Sequence, residues 1–241
     1  MGMFDLGSNV AVEEDQDTLG GGGVQESGLY DCTIKLAYIT KSAGGAMAIN
    51  LVLETDRKVS INQQIYISSG DAKGNKFTYT DKKSGEEKPL PGYSQINSLC
   101  QSAIGKQLKD LDPEEKILNL YDYNAKKEIP TKVPVITELL NAPITVGLLK
   151  QTEDKRAKDA TGNYVATGET RDINVISKVF RTEGRLTNAE IAAGATTGEF
   201  AKKWLEKNKG VVVDKSTKVA NAPQTGLPTP NPTTPTKSMF N

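Results

Sequence analysis

The sequence predicts a mainly β protein: a five-stranded antiparallel barrel with one capping helix, short C-terminal helices and disordered termini. Three observations predict it. Residues 29–67 carry three successive runs of apolar and polar alternation, residues 93–104 carry an apolar stripe at helical spacing, and two more alternating runs follow at 144–148 and 171–181.

In the first run Tyr30, Cys32, Ile34, Leu36 and Tyr38 share one face, while Asp31, Thr33, Lys35 and Lys41 fall largely on the other, the period of a half-buried strand. Ser42-Ala43-Gly44-Gly45 supplies a turn. Met47, Ile49, Leu51 and Leu53 then alternate with Ala48, Asn50, Val52 and Glu54 as the return strand of a hairpin. Asp56-Arg57 turns the chain into Val59, Ile61, Gln63, Ile65 and Ile67, with Tyr66 on the polar face, so three strands form a meander. Two turn-rich stretches, 71–75 and 82–86, bracket Lys76-Phe77-Thr78-Tyr79-Thr80, which reads as one arm of a protruding hairpin. Ile96, Leu99, Cys100, Ala103 and Ile104, with Gly105 just beyond, predict the amphipathic helix over 93–104.

Between 106 and 143 the pattern is weak; a short strand near 117–121 and a turn or short helix at 137–141 are expected. The runs at 144–148 and 171–181 are read as strands four and five, joined by a turn-rich loop containing Asp159-Ala160-Thr161-Gly162-Asn163. Thr187-Asn188-Ala189-Glu190 opens a short helix, and 199–207, with Phe200, Trp204 and Leu205, a longer one in which Trp204 serves as a packing anchor. The chain is expected to divide into a flexible acidic arm (1–28), an OB-like body (29–185) for which the residues below suggest nucleic-acid binding, a helical extension (186–220) and a Pro/Thr-rich disordered tail (221–241). Three meandering strands, a helix and two further strands is the element order of an OB fold.

The 30 Lys+Arg balance the 30 Asp+Glu, but residues 1–28 hold six acids and no base, leaving the remainder at +6. Such asymmetry suits a polyanion-binding surface with an arm able to cover it, and equally a solvated leader on an ordinary domain. The chain contains no histidine, which removes every Ser-His or Cys-His catalytic pair and the commonest zinc ligand. Its two cysteines, Cys32 and Cys100, lack a metal-binding or disulfide spacing. No signal peptide or membrane span is legible, so a cytoplasmic protein is expected, with no enzyme activity, cofactor, metal or membrane partner. Asp159-x-Thr161-x-Asn163 resembles the start of a calcium loop, but Tyr164 stands where that loop needs glycine and Thr170 where it needs glutamate.

The candidate binding residues fall in two groups. Tyr66, Phe77 and Tyr79 lie among Lys73, Lys76, Lys82, Lys83 and Lys88. Unpaired bases expose flat π faces on which such rings stack while ammonium groups hold phosphates. The alternative is that Phe77 and Tyr79 pack the hairpin onto the body. Lys150, Lys155, Arg156 and Lys158 lead into Tyr164, with Arg171, Lys178 and Arg181 on strand five, although Glu153, Asp154 and Asp159 are interleaved. Lys35 and Lys41 extend the surface through strand one.

Glu26-Ser27-Gly28-Leu29-Tyr30, Lys41-Ser42-Ala43-Gly44-Gly45 and Ile49-Asn50-Leu51-Val52-Leu53-Glu54-Thr55 resemble the start of bacteriophage single-stranded DNA-binding proteins of OB type. The resemblance implies sequence-tolerant coating of single-stranded DNA in phage replication or recombination, in the host cell cytoplasm, beside replication or recombination proteins. Members commonly end in an acidic tail with a terminal aromatic. Lys237-Ser238-Met239-Phe240-Asn241 departs from that pattern. A reading from a different class, a virion structural or assembly protein with a β-barrel body, fits the same elements. An enzyme using carboxylates and lysine is a third, with no recognisable nucleophile to support it.

Overall fold

The computed structural model describes residues 23–122 and 125–217. The acidic arm as far as residue 22 and the whole Pro/Thr-rich tail lie outside the described residues. Strands β1 (Gly28–Lys41), β2 (Met47–Thr55) and β3 (Ser60–Tyr66) form the expected antiparallel meander. Their alternation buries Ile34, Ile49, Leu51, Leu53, Ile61 and Ile65. Strand β1 departs from strict alternation: its register steps from Ile34 opposite Leu53 to Leu36 opposite Val52, so Lys35 is an inserted residue. A one-residue bulge reverses the facing of everything beyond it. Ala37 is thus fully buried, whereas Leu36 and Tyr38, expected inside, are half-buried.

The β1–β2 turn is tied to the chain beyond β3. Gly45 has φ 79°, and the backbone N–H of Asp71 donates to the Gly44 carbonyl at 2.8 Å. Residues 71–73 make a 3-10 turn, and β4 (Thr78–Thr80) pairs with β5 (Glu87–Pro89) as the expected hairpin, a small sheet of its own. Helix α1 (Pro91–Ile104) follows at once. Proline suits its first turn, where an N–H would lack a partner, and Gly105 closes it with φ 73°. Its stripe buries Ile96, Leu99 and Cys100 against the meander.

The stretch expected to hold one short strand holds a hairpin instead, β6 (Glu114–Asp122) with β7 (Lys127–Val135), followed by a 3-10 turn at Thr137–Leu139. The loop expected between strands four and five is likewise β-structure. Strand β8 (Pro143–Lys158) and β9 (Tyr164–Phe180) pair from Thr145 opposite Phe180 out to Lys158 opposite Tyr164, leaving only 159–163 as turn. The outer half of β9 is exposed on both faces, so no apolar alternation marks it, whereas in β6 and β7 Leu118, Leu120 and Ile129 do alternate but are only half-buried and stand among charged residues, which weakens the pattern.

Helix α2 (Asn188–Ala192) begins where expected, with a capping box in which Thr187 Oγ1 accepts from the Glu190 N–H and Glu190 Oε2 from the Thr187 N–H. Helix α3 (Glu199–Asn208) lays Trp204 and Ala201 on Phe180, Leu29 and Leu149, so Trp204 is the packing anchor expected. An unforeseen strand, β10 (Val212–Asp214), runs parallel to β8. The body also reaches further back than residue 29: Gln25 N–H donates to Asn174 Oδ1 at 2.7 Å, and Glu26 pairs with Lys150 at 2.9 Å.

The molecule is mainly β with few helices, but among the described residues the expected five-stranded closure is absent: the largest sheet there has eight strands and remains open. Along it β3, β2, β1, β8 and β9 are neighbours in that order. No ladder joins β3 to β9 among the described residues; Gln63 Oε1 instead accepts from the Ile176 N–H at 3.1 Å across the seam.

Candidate nucleic-acid interface

Strand β3 turns Ile61 and Ile65 inward, and so projects Tyr66 outward, where it remains 49% exposed. The 3-10 turn and β4 bring Lys73 and Tyr79, 42% exposed, to the same place. With Ser68, Ser69 and Leu90 these side chains line a cleft of about 620 Å³ whose lining contains no carboxylate. Sequence reasoning missed the residue that closes its floor. A Cβ at Gly92 would lie 2.0 Å from the Tyr66 carbonyl oxygen, so the start of α1 approaches β3 only because residue 92 has no side chain. The signal in the sequence was Pro91-Gly92 at the helix start.

Phe77 lies 5.6 Å from Tyr93 of α1, ring centre to ring centre, and anchors the hairpin there. Lys82 and Lys83 occupy the hairpin's tip. Asp81 accepts from the N–H groups of Lys83 and Ser84 and pairs with Lys88 at 2.7 Å, and the Lys88 ammonium holds its carboxyl below the ordinary range. Lys73, Lys76, Lys82 and Lys83 have no ion pair among the described residues. Their charge is available to a polyanion.

The β8–β9 ribbon differs. Residues 150–172 hold five bases and five acids, and most of them pair across the strands. Lys155 meets Glu169 at 2.9 Å and Arg171 meets Glu153 at 2.7 Å. Lys150 is held by Glu26 and Asp172, and the Glu26 carboxylate raises its pKa. Lys158 stands 5.5 Å from the centre of the Tyr164 ring, itself 64% exposed. Arg156, Tyr164 and Arg171 share a groove of about 480 Å³, but Glu153 and Asp154 line it too. Asp159 is occupied with its own turn, accepting from Thr161 N–H at 2.8 Å and Asn163 N–H at 3.0 Å.

The remaining candidates lie elsewhere. Lys35, at the bulge, pairs with Glu54 at 3.3 Å; Lys41 ends β1, exposed. Lys178 projects from β9 toward α3, its Nζ 5.8 Å from the centre of the Phe200 ring. The structure therefore gathers Tyr66, Lys73 and Tyr79 in one cleft and Arg156, Tyr164 and Arg171 in another groove. Neither cysteine is positioned as a nucleophile: burial pushes both thiols up to about 12. Among the described residues no helix is long and apolar enough to cross a membrane. No family model matches the chain, and no curated protein matches it.

Proposed function

We propose that this chain binds single-stranded DNA without sequence preference, coating exposed strands in phage replication or recombination, on a partly open OB-like barrel. The carrying observation is the cleft in which two half-exposed tyrosines stand beside Lys73 with no carboxylate on the lining. Rings supply stacking that any base can use, and unpaired ammonium groups supply phosphate contacts. The strand order β3-β2-β1-β8-β9, with α1 between β3 and β8 along the chain and the β3–β9 seam bridged by a side chain, supports the OB-like reading. The phage setting rests on the resemblance of residues 26–55.

Titration of labelled oligo-dT and of the matching duplex tests this. The single strand is expected to bind more tightly, because stacking needs free base faces, with a log-log salt slope of about −0.7 per phosphate neutralised. Tyr66→Ala and Tyr79→Ala are each expected to weaken binding by about 5- to 150-fold, the range of one stacked base. Equal affinity for duplex and single strand overturns the proposal. Stoichiometric retention in purified particles with no affinity for oligo-dT selects a virion role instead.

A further inference from the structure

The cleft at Tyr66 does not end at the helix. Pro91, the first residue of α1, lines both it and a neighbouring cavity of about 530 Å³ between α1, β9 and the start of α2. Ser177 and Phe200 in turn line that cavity and a third, of about 360 Å³, between β9 and α3. The three spaces are adjacent, each sharing lining residues with the next. None of the three linings contains an aspartate or glutamate, whereas the groove on the β8–β9 ribbon contains two such residues.

The far end repeats the chemistry of the near one. Phe200 keeps 41% of its surface exposed, and behind it stands the fully buried Phe180, with ring centres 6.3 Å apart. Its backbone N–H donates to Glu190 Oε1 at 2.8 Å, which fixes the start of α3. Lys203 and Lys207 follow at i+3 and i+7, on the helical face that carries Phe200, and line the third cavity with it. Neither has an ion pair among the described residues, unlike Lys202, which Glu199 holds at 2.7 Å. Lys178 approaches from β9.

We infer that the strand-binding track continues from the Tyr66–Tyr79 cleft past the N-terminus of α1 into the groove between β9 and α3. There a second base stacks on Phe200 while Lys178, Lys203 and Lys207 hold phosphates. The inference rests on the single-strand reading above and names a subsite for it. A single strand fits better than a compact anion because an exposed ring and cations occur in separate cavities that share lining residues, Tyr66, Tyr79 and Lys73 on one side of Pro91 and Phe200, Lys178, Lys203 and Lys207 on the other, and one small anion could occupy only one of them. In the free protein Lys178 shelters the ring, and on binding it exchanges that contact for a phosphate oxygen.

Strand length separates this subsite from the first. Oligo-dT of ~4 nucleotides fills one cleft, and oligo-dT of ~16 nucleotides reaches both, the span of site sizes for OB folds. Phe200→Leu, which keeps an apolar, somewhat smaller side chain but removes the π face, is expected to weaken the long strand by about 5-fold or more and leave the short strand unchanged. The pair Lys203→Gln and Lys207→Gln is expected to reduce the salt slope for the long strand by about 1.4, at about 0.7 per lost phosphate contact. Thermal melting of each variant is the control for folding. If neither length binds the wild type, the single-strand reading itself fails. If wild type binds and Phe200→Leu binds the long strand equally well, or loses both lengths alike, the track is overturned and the reading of the first cleft stands. If a peptide of residues 1–19 binds the wild type but not Phe200→Leu while long-strand affinity is unchanged, the groove is an acidic-peptide site and the track is again overturned.

Discussion

Single positions decide how closely the parts of this molecule approach. Gly92 admits α1 to the backbone of Tyr66, and so sets the depth of the cleft. Cys32 and Cys100 act in the opposite sense, as small apolar fillers sealed in the core, with burial pushing each thiol up to about 12. An unfolded thiol titrates near pH ~8.5, so above that pH the unfolded chain gives up protons that the native one retains. The stability these thiols confer is complete below the unfolded value and is lost as pH rises toward the folded one. The urea midpoint of the wild type is therefore expected to fall between pH ~8 and ~10, and to fall less in Cys100→Ala. An identical pH dependence in both proteins would show that Cys100 titrates alike in the folded and unfolded chains. The residue types of the core were legible from the sequence, but the bulge at Lys35 was not: a single inserted residue carries no compositional mark, and it exchanges Leu36 for Ala37 inside.

At the scale of elements, the strands and helix that press a full apolar stripe into the core were readable, and the long two-stranded ribbons that reach out from it were not. Strands β2 and β3 and helix α1 each press a stripe into the core. The β8–β9 ribbon instead matches charge to charge across its strands, so its sequence looks like a loop. Helix α3 is held by one contact of high consequence: a Cβ at Gly147 would meet the Trp204 ring at 2.9 Å, so the indole lies directly on β8. Trp204→Ala is expected to cost about 3–5 kcal/mol in urea unfolding, the range for emptying a buried tryptophan site. A loss below about 1 kcal/mol would mean that the site collapses without penalty or that α3 docks by other contacts. Because Phe200 shares this helix, the same variant is expected to blunt the second subsite.

On the scale of the whole molecule the separation of charge matters more than its sum. With Glu26 counted in the body, five acids without a base (Asp5, Glu13, Glu14, Asp15 and Asp17) precede a remainder of 30 bases and 25 acids, and a tethered segment competes at high effective concentration for any cationic groove within its reach. Deleting residues 1–19 is expected to tighten single-strand binding at low salt, with the gain shrinking as added ions screen both interactions. Unchanged or weaker binding by the truncated protein at low ionic strength would make the leader an inert tail or a part of the binding surface. The ion pair of Glu26 with Lys150 survives that truncation, so the body's own electrostatics are preserved.

The sequence by itself determined the class of the protein and the core of its elements: the three-strand meander, the capping helix, the start of a short helix at Thr187 and the absence of histidine chemistry. These follow from periodicity and composition, which are local properties of a chain. It also grouped Tyr66, Phe77 and Tyr79 with the neighbouring lysines as one candidate surface, without fixing which of them share a cleft. That Tyr66 and Tyr79 face one cleft with Lys73, that Phe77 leans on Tyr93, and that the ribbon's cations are mostly matched by anions are decided by tertiary structure. Whether a charge is free depends on which carboxylate the fold brings within about 4 Å of it, and that pairing joins residues far apart in sequence. The cavity lined by both Pro91 and Phe200 belongs to the same kind, since its walls come from α1, β9, α2 and α3, and only the packing of these elements brings them together.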